Sequence, residues 1–460
     1  MSRALEHFFD PLRFLEKSLT RRELLFLMAK GAVAYPFTAN ELWATGAGRH
    51  PQSQAAPPEV QLSTDELLEE MVSRAFQFFW DHAGPHSGLI RDRALADGSP
   101  DSRRVTSIAA TGFGLAALCI GHKRGYLPPH QIGGRVVTTL SFLANHAEQI
   151  NGFYYHFLDI DTGKRARFSE ISPIDTTILL CGVLMAREYF DNAKITQLAN
   201  IIYRRINWRW MMNGGTTFAL GWTPEYKFIG ARWDVYCELM MMYLLAIGAP
   251  VYNIPPESWT GFSRPTMEFE GYTYISAADP LFVHQYSHAW FDFRNLRDQY
   301  ANYFQNSAIA TYAHKLFCQS IRWRFPDYSD NLWGITASDS RLGYQAWGGP
   351  PEIGYIDGTV VPCATAGSMP FLPKETAAVL LNLYNSYAQR AWKRYGFVDA
   401  FDPRTRWTDV DVLGIDQGIS MLMVENYRTG FIWEHFMKSH EARRAMKRVG
   451  FTAVAQSPAT

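Results

Sequence analysis

Val105–Gly121 reads VTSIAATGFGLAALCIG, a run of Ala, Gly, Thr and aliphatic residues without a charged side chain. A helix that is apolar nearly all round is enclosed by other helices rather than laid on a surface. Working outward, Ser63-Thr64-Asp65-Glu66 is a helix start, with a capping hydroxyl and acids in the first turn. Leu67, Leu68, Met71, Ala75, Phe78 and Phe79 carry that helix to about Trp80. A more polar run follows the enclosed one, from Pro128 to Ala147. The alternation then repeats: Ser172 to Phe190 is apolar and Ala193 to Ile206 polar, and Trp233 to Ile247 is strongly apolar. Ala301 to Phe325 is amphipathic, Lys374 to Tyr395 more polar, and Gly414 to Thr429 apolar with acids inside it. Strand signals are confined to Gly152–Leu158 (GFYYHFL) and Tyr272–Ile275 (YTYI), read as short hairpins. About a dozen helices pairing one enclosed with one solvated member predict an all-α fold, a closed α/α toroid. In such a ring, connections at one mouth can carry function on a rigid scaffold.

The chain has 460 residues, 47% of them hydrophobic and 15% aromatic, with 44 basic and 44 acidic side chains. That balance excludes a polyanion-binding field, so neither nucleic acid nor an anionic membrane surface is expected as a partner. Thr20-Arg21-Arg22-Glu23-Leu24-Leu25 precedes an apolar run, Leu24–Ala34, and a small-residue region at Ala44–Gly48. The pattern resembles a twin-arginine export signal, with an amphipathic helix through Leu5, Phe8, Phe9, Leu12 and Leu15 as the other reading. The run is too short to span a bilayer. The expected organisation is an export-like segment at 1–48, a linker at 49–62 rich in Gln, Ser, Ala and Pro, one domain at 63–450, and a tail at 451–460. The expected location is periplasmic or secreted, and the expected state monomeric. Cys119, Cys181, Cys237, Cys318 and Cys363 are scattered, without a CxxC pair, and read as small buried hydrophobes.

Asp330–Phe371, DNLWGITASDSRLGYQAWGGPPEIGYIDGTVVPCATAGSMPF, follows neither helical nor strand period. A loop of this length in a compact chain is usually functional or disordered, and its aromatics argue against disorder. It is expected to present Asp330, Asp339 and Asp357, with Trp333 and Trp347, to a ligand. Polysaccharide hydrolysis needs two carboxylates of different protonation and aromatic faces for sugar rings. Glu238 opens an apolar helix with Asp234 one turn before it, which reads either as an acid pair or as a cap with an ion pair to Arg232. Asp399, between aromatics in YGFVDAFDP, and Asp416, in GIDQG, are each candidates for the base, with Asp416 also readable as a helix cap. Asp402 before Pro403 is read as turn chemistry. Asp175 enters a helix and could contact sugar hydroxyls or serve the helix dipole. His284 and His288 have zinc-compatible spacing, but the glutamate of HExxH and a third ligand are missing. No metal or cofactor is therefore expected, and Gln285, His288 and Trp290 are read as sugar contacts.

Several stretches together resemble the bacterial glycoamylase-like family: FFWDHA, GLIRDR, SIAATGFGLAALCIG, GFYYHFLD, WDVYCELMMMYLLAIGAP, IPPESW, LFVHQYSHAWFDFR, NLWGITASDS, GYQAWGGPP, DGTVVPCATAGS, YGFVDAFDP and GIDQGISMLMVENYRTGFIW. They run from about Phe78 to Met446. That family includes endo-β-1,2-glucanases and exo-acting sophorohydrolases, with a related domain in cyclic β-1,2-glucan synthases. The resemblance implies an (α/α)6 barrel, export, and metal-free inverting hydrolysis of β-1,2-linked glucan or its oligosaccharides. It implies Glu238 as general acid and Asp399 or Asp416 as base. Substrate contacts are expected from Asp175, Trp233, Asp234, Tyr236, Gln285, His288, Trp290, Trp333, Asp339, Trp347 and Asp357. A polysaccharide lyase using Tyr286 or His288, and a non-catalytic glycan-binding protein, are the competing readings.

Overall fold

The computed structural model describes residues 61–454. The export-like segment, nearly all of the linker and the last part of the tail lie outside the described residues. In chain order the helices are α1 (Thr64–Asp81), α2 (Ile108–Arg124), α3 (Pro129–Asn145), α4 (Pro173–Tyr189), α5 (Ala193–Arg204), α6 (Trp208–Met212) and α7 (Met240–Gly248). They continue with α8 (Tyr286–Trp290), α9 (Tyr303–Ser320), α10 (Pro362–Ala366), α11 (Pro373–Ala391), α12 (Gly414–Thr429), α13 (Phe431–Phe436) and α14 (His440–Arg448).

Six of them form an inner ring: α2, α4, α7, α8, α10 and α12. In α2 every residue from Ile108 to Gly121 is buried, as its all-round apolar surface requires. The α2–α4 contact is the tightest of the ring: a Cβ on Gly182 would stand 2.0 Å from the Gly112 carbonyl oxygen. Glycine is the residue that permits this backbone approach. From α4 the ring passes to α7 and α8 through direct packing. Gln285 then links α8 to α10 by donating to the Ala364 carbonyl at 2.9 Å and the Ser368 hydroxyl at 2.8 Å. Finally α10 packs on α12, and α12 on α2. Outside stand α1, α3, α5, α9, α11 and α14. The last of these supplies the outer cover of α7, where Gly248 touches the Glu441 backbone. This is the expected (α/α)6 barrel. The start of α1 is a capping box, with the Glu66 carboxylate accepting from the Ser63 N–H at 2.8 Å.

All described strands form two-stranded pairs, among them Val105–Ser107 with Phe157–Asp159 and Arg93–Leu95 with Asp411–Leu413. They gather the inner-helix N-termini at one mouth. The Ile108 N–H bonds the His156 carbonyl at 3.2 Å, Ser172 bonds Tyr154 at 3.1 Å, and Gly414 bonds Asp92 at 2.8 Å. The Met241 N–H bonds the Ser287 hydroxyl at 3.1 Å. The positive ends of the inner helices therefore face a common space. One expected boundary moves: α7 begins at Met240, because Arg232–Trp233 is drawn into a strand pair with Phe218–Ala219 and Val235 bridges Ser263. All five cysteines are buried and free. No described helix is long and apolar enough to cross a membrane.

Candidate active site

The chain folds back on itself after Asp399: the Asp399 N–H bonds the Asp411 carbonyl at 3.1 Å and the Asp409 N–H bonds that of Ala400 at 2.9 Å. This sets Asp409 and Asp411 beside Asp399. Asp416 comes from the first turn of α12, where the dipole favours an anion. The long loop contributes Asp339, whose backbone N–H donates to Asp399 Oδ2 at 2.8 Å. Arg93 anchors the group, with Nη1 2.5 Å from Asp339 Oδ2 and 3.8 Å from Asp411, and Nε 3.3 Å from Asp92. Behind it Arg103 holds Asp411 at 2.6 Å.

Too many carboxylates meet here for all to be ionised. Burial first, and then the neighbouring Asp416, push Asp399 well above the usual carboxylate range. Asp416 is pushed up to about 6 by burial, while its hydrogen bonds with Asp399 and Cys363 pull the other way. Of the two, Asp399 is thus the one favoured to carry a proton, and Asp416 the more readily ionised. Asp399 Oδ1 and Asp416 Oδ2 are buried without a hydrogen-bond partner among the described residues. Asp409 repeats the pattern next to Asp339, pushed up to about 8 by burial and then by the Asp339 charge.

Glu238 is 5% exposed and lies two residues before the start of α7. Its backbone carbonyl accepts from the Ser287 hydroxyl at 2.8 Å, which ties the starts of α7 and α8 together. Burial raises the Tyr286 hydroxyl, and the negative charges of both Asp416 and Glu238 add to the rise. Glu238 also acts on Asp175, which accepts from the Ser172 hydroxyl. Asp175 lies 3.7 Å from His156 Nδ1, and Glu170 lies 3.2 Å from it. Burial opposes the imidazolium, yet these two carboxylates overcome it and raise His156 to about 9. His156–Glu170–Asp175 and Asp339–Asp399–Asp409 each bring donor atoms within 4.8 Å of one another, the geometry a cation would need. In the first a protonated histidine already fills that role, and in the second Arg93 does.

The structure therefore gathers Glu238, Asp399, Asp416, Asp339 and Asp175 at one mouth. Other expected contacts lie elsewhere. Asp234 is exposed in an extended segment and shares no helical face with Glu238, because α7 starts later. Arg232 is committed to the Thr217 hydroxyl at 2.8 Å and the Met212 carbonyl at 2.7 Å. Asp330 sits at the surface against Lys315 and Gln319, and Asp357 closes its own turn onto Thr359. His288 is buried against Phe293, Phe304 and Phe371, with its Nε2 3.1 Å from the Ser307 hydroxyl. Burial takes both His284 and His288 down to about 3, so they are neutral core residues. Trp290 stacks on Phe113, and Gln285 is the ring link already described. Trp233, Tyr236, Trp333 and Trp347 are also buried, Trp347 donating to the Ser338 hydroxyl at 3.1 Å. These side chains are packed into the core rather than displayed on the loop surface. Sequence reading missed Arg93, His156, Glu170, Asp409 and Asp411. The alternating acids of Asp409-Val410-Asp411 just before the GID turn were the one local signal, since alternate residues of a strand share a face.

The Glycoamylase family model, described as "Putative glucoamylase", matches residues 230–440. An endo-β-1,2-glucanase from Chitinophaga pinensis, solved with sophorotriose and glucose, is 30% identical with a TM-score of 0.78, covering 85% of this chain and 99% of that one. A β-1,2-glucanase structure from Parabacteroides distasonis is 27% identical with a TM-score of 0.78, covering 85% of this chain and 60% of that one. An exo β-1,2-glucooligosaccharide sophorohydrolase (non-reducing end) of Parabacteroides distasonis is 29% identical over 442 residues, covering 86% of this chain. This chain spans 60% of that curated relative. An endo-β-1,2-glucanase from Talaromyces funiculosus, 9% identical with a TM-score of 0.61 over 85% of this chain and 91% of its own, shares the fold. The class is that of the (α/α)6-barrel glycoside hydrolases. Within it, the chain belongs to the glycoamylase-like family.

Proposed function

We propose that this chain hydrolyses β-1,2-glucan or its oligosaccharides with inversion, Glu238 acting as general acid and Asp416 as general base. The observation that carries the reading is the buried carboxylate pair Asp399 and Asp416, in which burial and the neighbouring charge raise Asp399 the further, with Glu238 acting on the same Tyr286 hydroxyl as Asp416. Inverting hydrolysis needs one carboxyl group to protonate the leaving oxygen and a carboxylate opposite to activate water. Asp416 takes a proton from water as the water oxygen attacks the anomeric carbon. The glycosidic C–O bond breaks and its oxygen leaves with the proton of Glu238. Asp399 holds Asp416 in its ionised form, and Asp339 and Arg93 hold Asp399. The ring of inner-helix N-termini and the burial of these acids strengthen their electrostatic interactions relative to water. The names of the bacterial relatives support the linkage.

Product analysis on linear β-1,2-glucan, beside β-1,3-glucan and cyclic β-1,2-glucan, tests the reading. Cleavage confined to the β-1,2 chains with the anomer inverted is expected, and D416N should abolish it. No product from any β-glucan, or full activity in Glu238→Gln, overturns it. We also propose export, supported by Arg21-Arg22 ahead of the apolar run Leu24–Ala34. A reporter fused behind residues 1–62 that stays in the cytoplasm would refute it.

A further inference from the structure

The turn that leads into Glu170, at residues 166–169, is built against its residue types. Arg167 and Phe168 both adopt left-handed backbone conformations, φ +53° and +50°, and the Ser169 N–H closes the turn on the Ala166 carbonyl at 3.0 Å. Two consecutive positive φ values are the pattern that favours Asn-Gly, and bulky side chains there are strained. Residues held in such conformations persist where the surroundings over-determine them, and they cluster at functional sites. The clamp is visible. Arg165 donates through Nε to the Ser169 carbonyl at 2.5 Å and through Nη2 to the Phe168 carbonyl at 2.6 Å. The same guanidinium is bidentate to Glu225 at 2.6 and 3.0 Å.

The two strained side chains point to different ends. Arg167 reaches inward, over the Phe157 ring at 5.3 Å and to 3.9 Å from Asp92, next to the Arg93 anchor. Phe168 is 71% exposed, with the Arg165 guanidinium 6.0 Å from its ring centroid, two residues before the Glu170 that holds His156. An aromatic side chain on a clamped turn costs little entropy when a sugar ring stacks on it. The buried tryptophans of the long loop cannot supply such a plate.

We propose that Phe168 is the stacking platform of an outlying subsite, taking the apolar face of a glucosyl unit beyond the scissile bond on the Glu238–Asp175 side. The inference rests on the proposed glucan reaction for its ligand class. It makes Phe168 a determinant of chain length rather than of chemistry. Its test is a ladder of β-1,2-glucooligosaccharides plus the polymer, assayed with wild type, Phe168→Ala and Phe168→Trp. On the longest chains Phe168→Ala should lower kcat/KM about three- to tenfold, the size of one aromatic stacking contact, through KM with kcat held. On the shortest cleaved oligosaccharide it should match wild type, and Phe168→Trp should restore the long-chain preference. An equal loss at every length, or none at any, overturns the platform while the reaction stands. A wild type inactive on the whole ladder overturns the reaction itself, and the platform with it.

Discussion

Exchanging the two aspartates of the buried pair separates their roles. Asparagine is close in shape to a protonated aspartic acid and donates through its amide. Asp399→Asn should therefore keep the hydrogen bond that Asp416 receives and remain within about tenfold of wild-type kcat. Asp416→Asn removes the group assigned to accept the proton of water and should cost about 10²- to 10⁴-fold. The pH profile adds a second readout. Activity requires Asp416 ionised, so kcat should rise through about pH 6 and fall roughly tenfold per unit below that point. In Asp399→Asn that limb should stay in place. In Asp399→Ala it should move to higher pH, because the Asp399 hydrogen bond is one of the influences that keep Asp416 low. Reducing-sugar release from β-1,2-glucan measures all four proteins. A dead Asp399→Asn beside an active Asp416→Asn would reverse the assignment and refute the reasoning.

The same pair bears on stability. Asp416 moves from the ordinary 3.8 to about 6 on folding, which is about 3 kcal/mol against its ionised form. The folded state holds the proton more tightly, so stability is lost as pH rises from 3.8 through 6 and stays lower above. Asp416→Asn should accordingly raise the neutral-pH Tm by a few degrees while removing activity, and an unchanged Tm counts against the buried charge. Arg93→Ala should cost about 3–5 kcal/mol by leaving Asp339 and Asp92 uncompensated, read as a fall in denaturant midpoint. Gly182→Ala drives a methyl into the Gly112 backbone and should cost at least about 3 kcal/mol, checked by Tm or loss of soluble protein.

Local chemistry alone determined a good part of this protein. The charge-free surface of Val105–Gly121 marked an inner helix, Ser63 and Glu66 marked a helix start, and Asp402 marked a turn that indeed accepts from Arg404 and Thr405. These are signals carried by residues within a few positions of one another, so no fold is needed to read them. Asp399 and Asp416 were nominated the same way, by an acid set among apolar neighbours. Tertiary structure decided what distance along the chain conceals. Arg93 meets Asp339 across 246 positions, and no period or motif announces such a pair. Aromatic residues were the weakest guide, because Trp290, Trp333 and Trp347 have the same composition in a core as in a cleft. Asp234 and Glu238 parted company because pairing with Phe218–Ala219 delayed the helix, a competition between strand and helix that only the partner strand resolves.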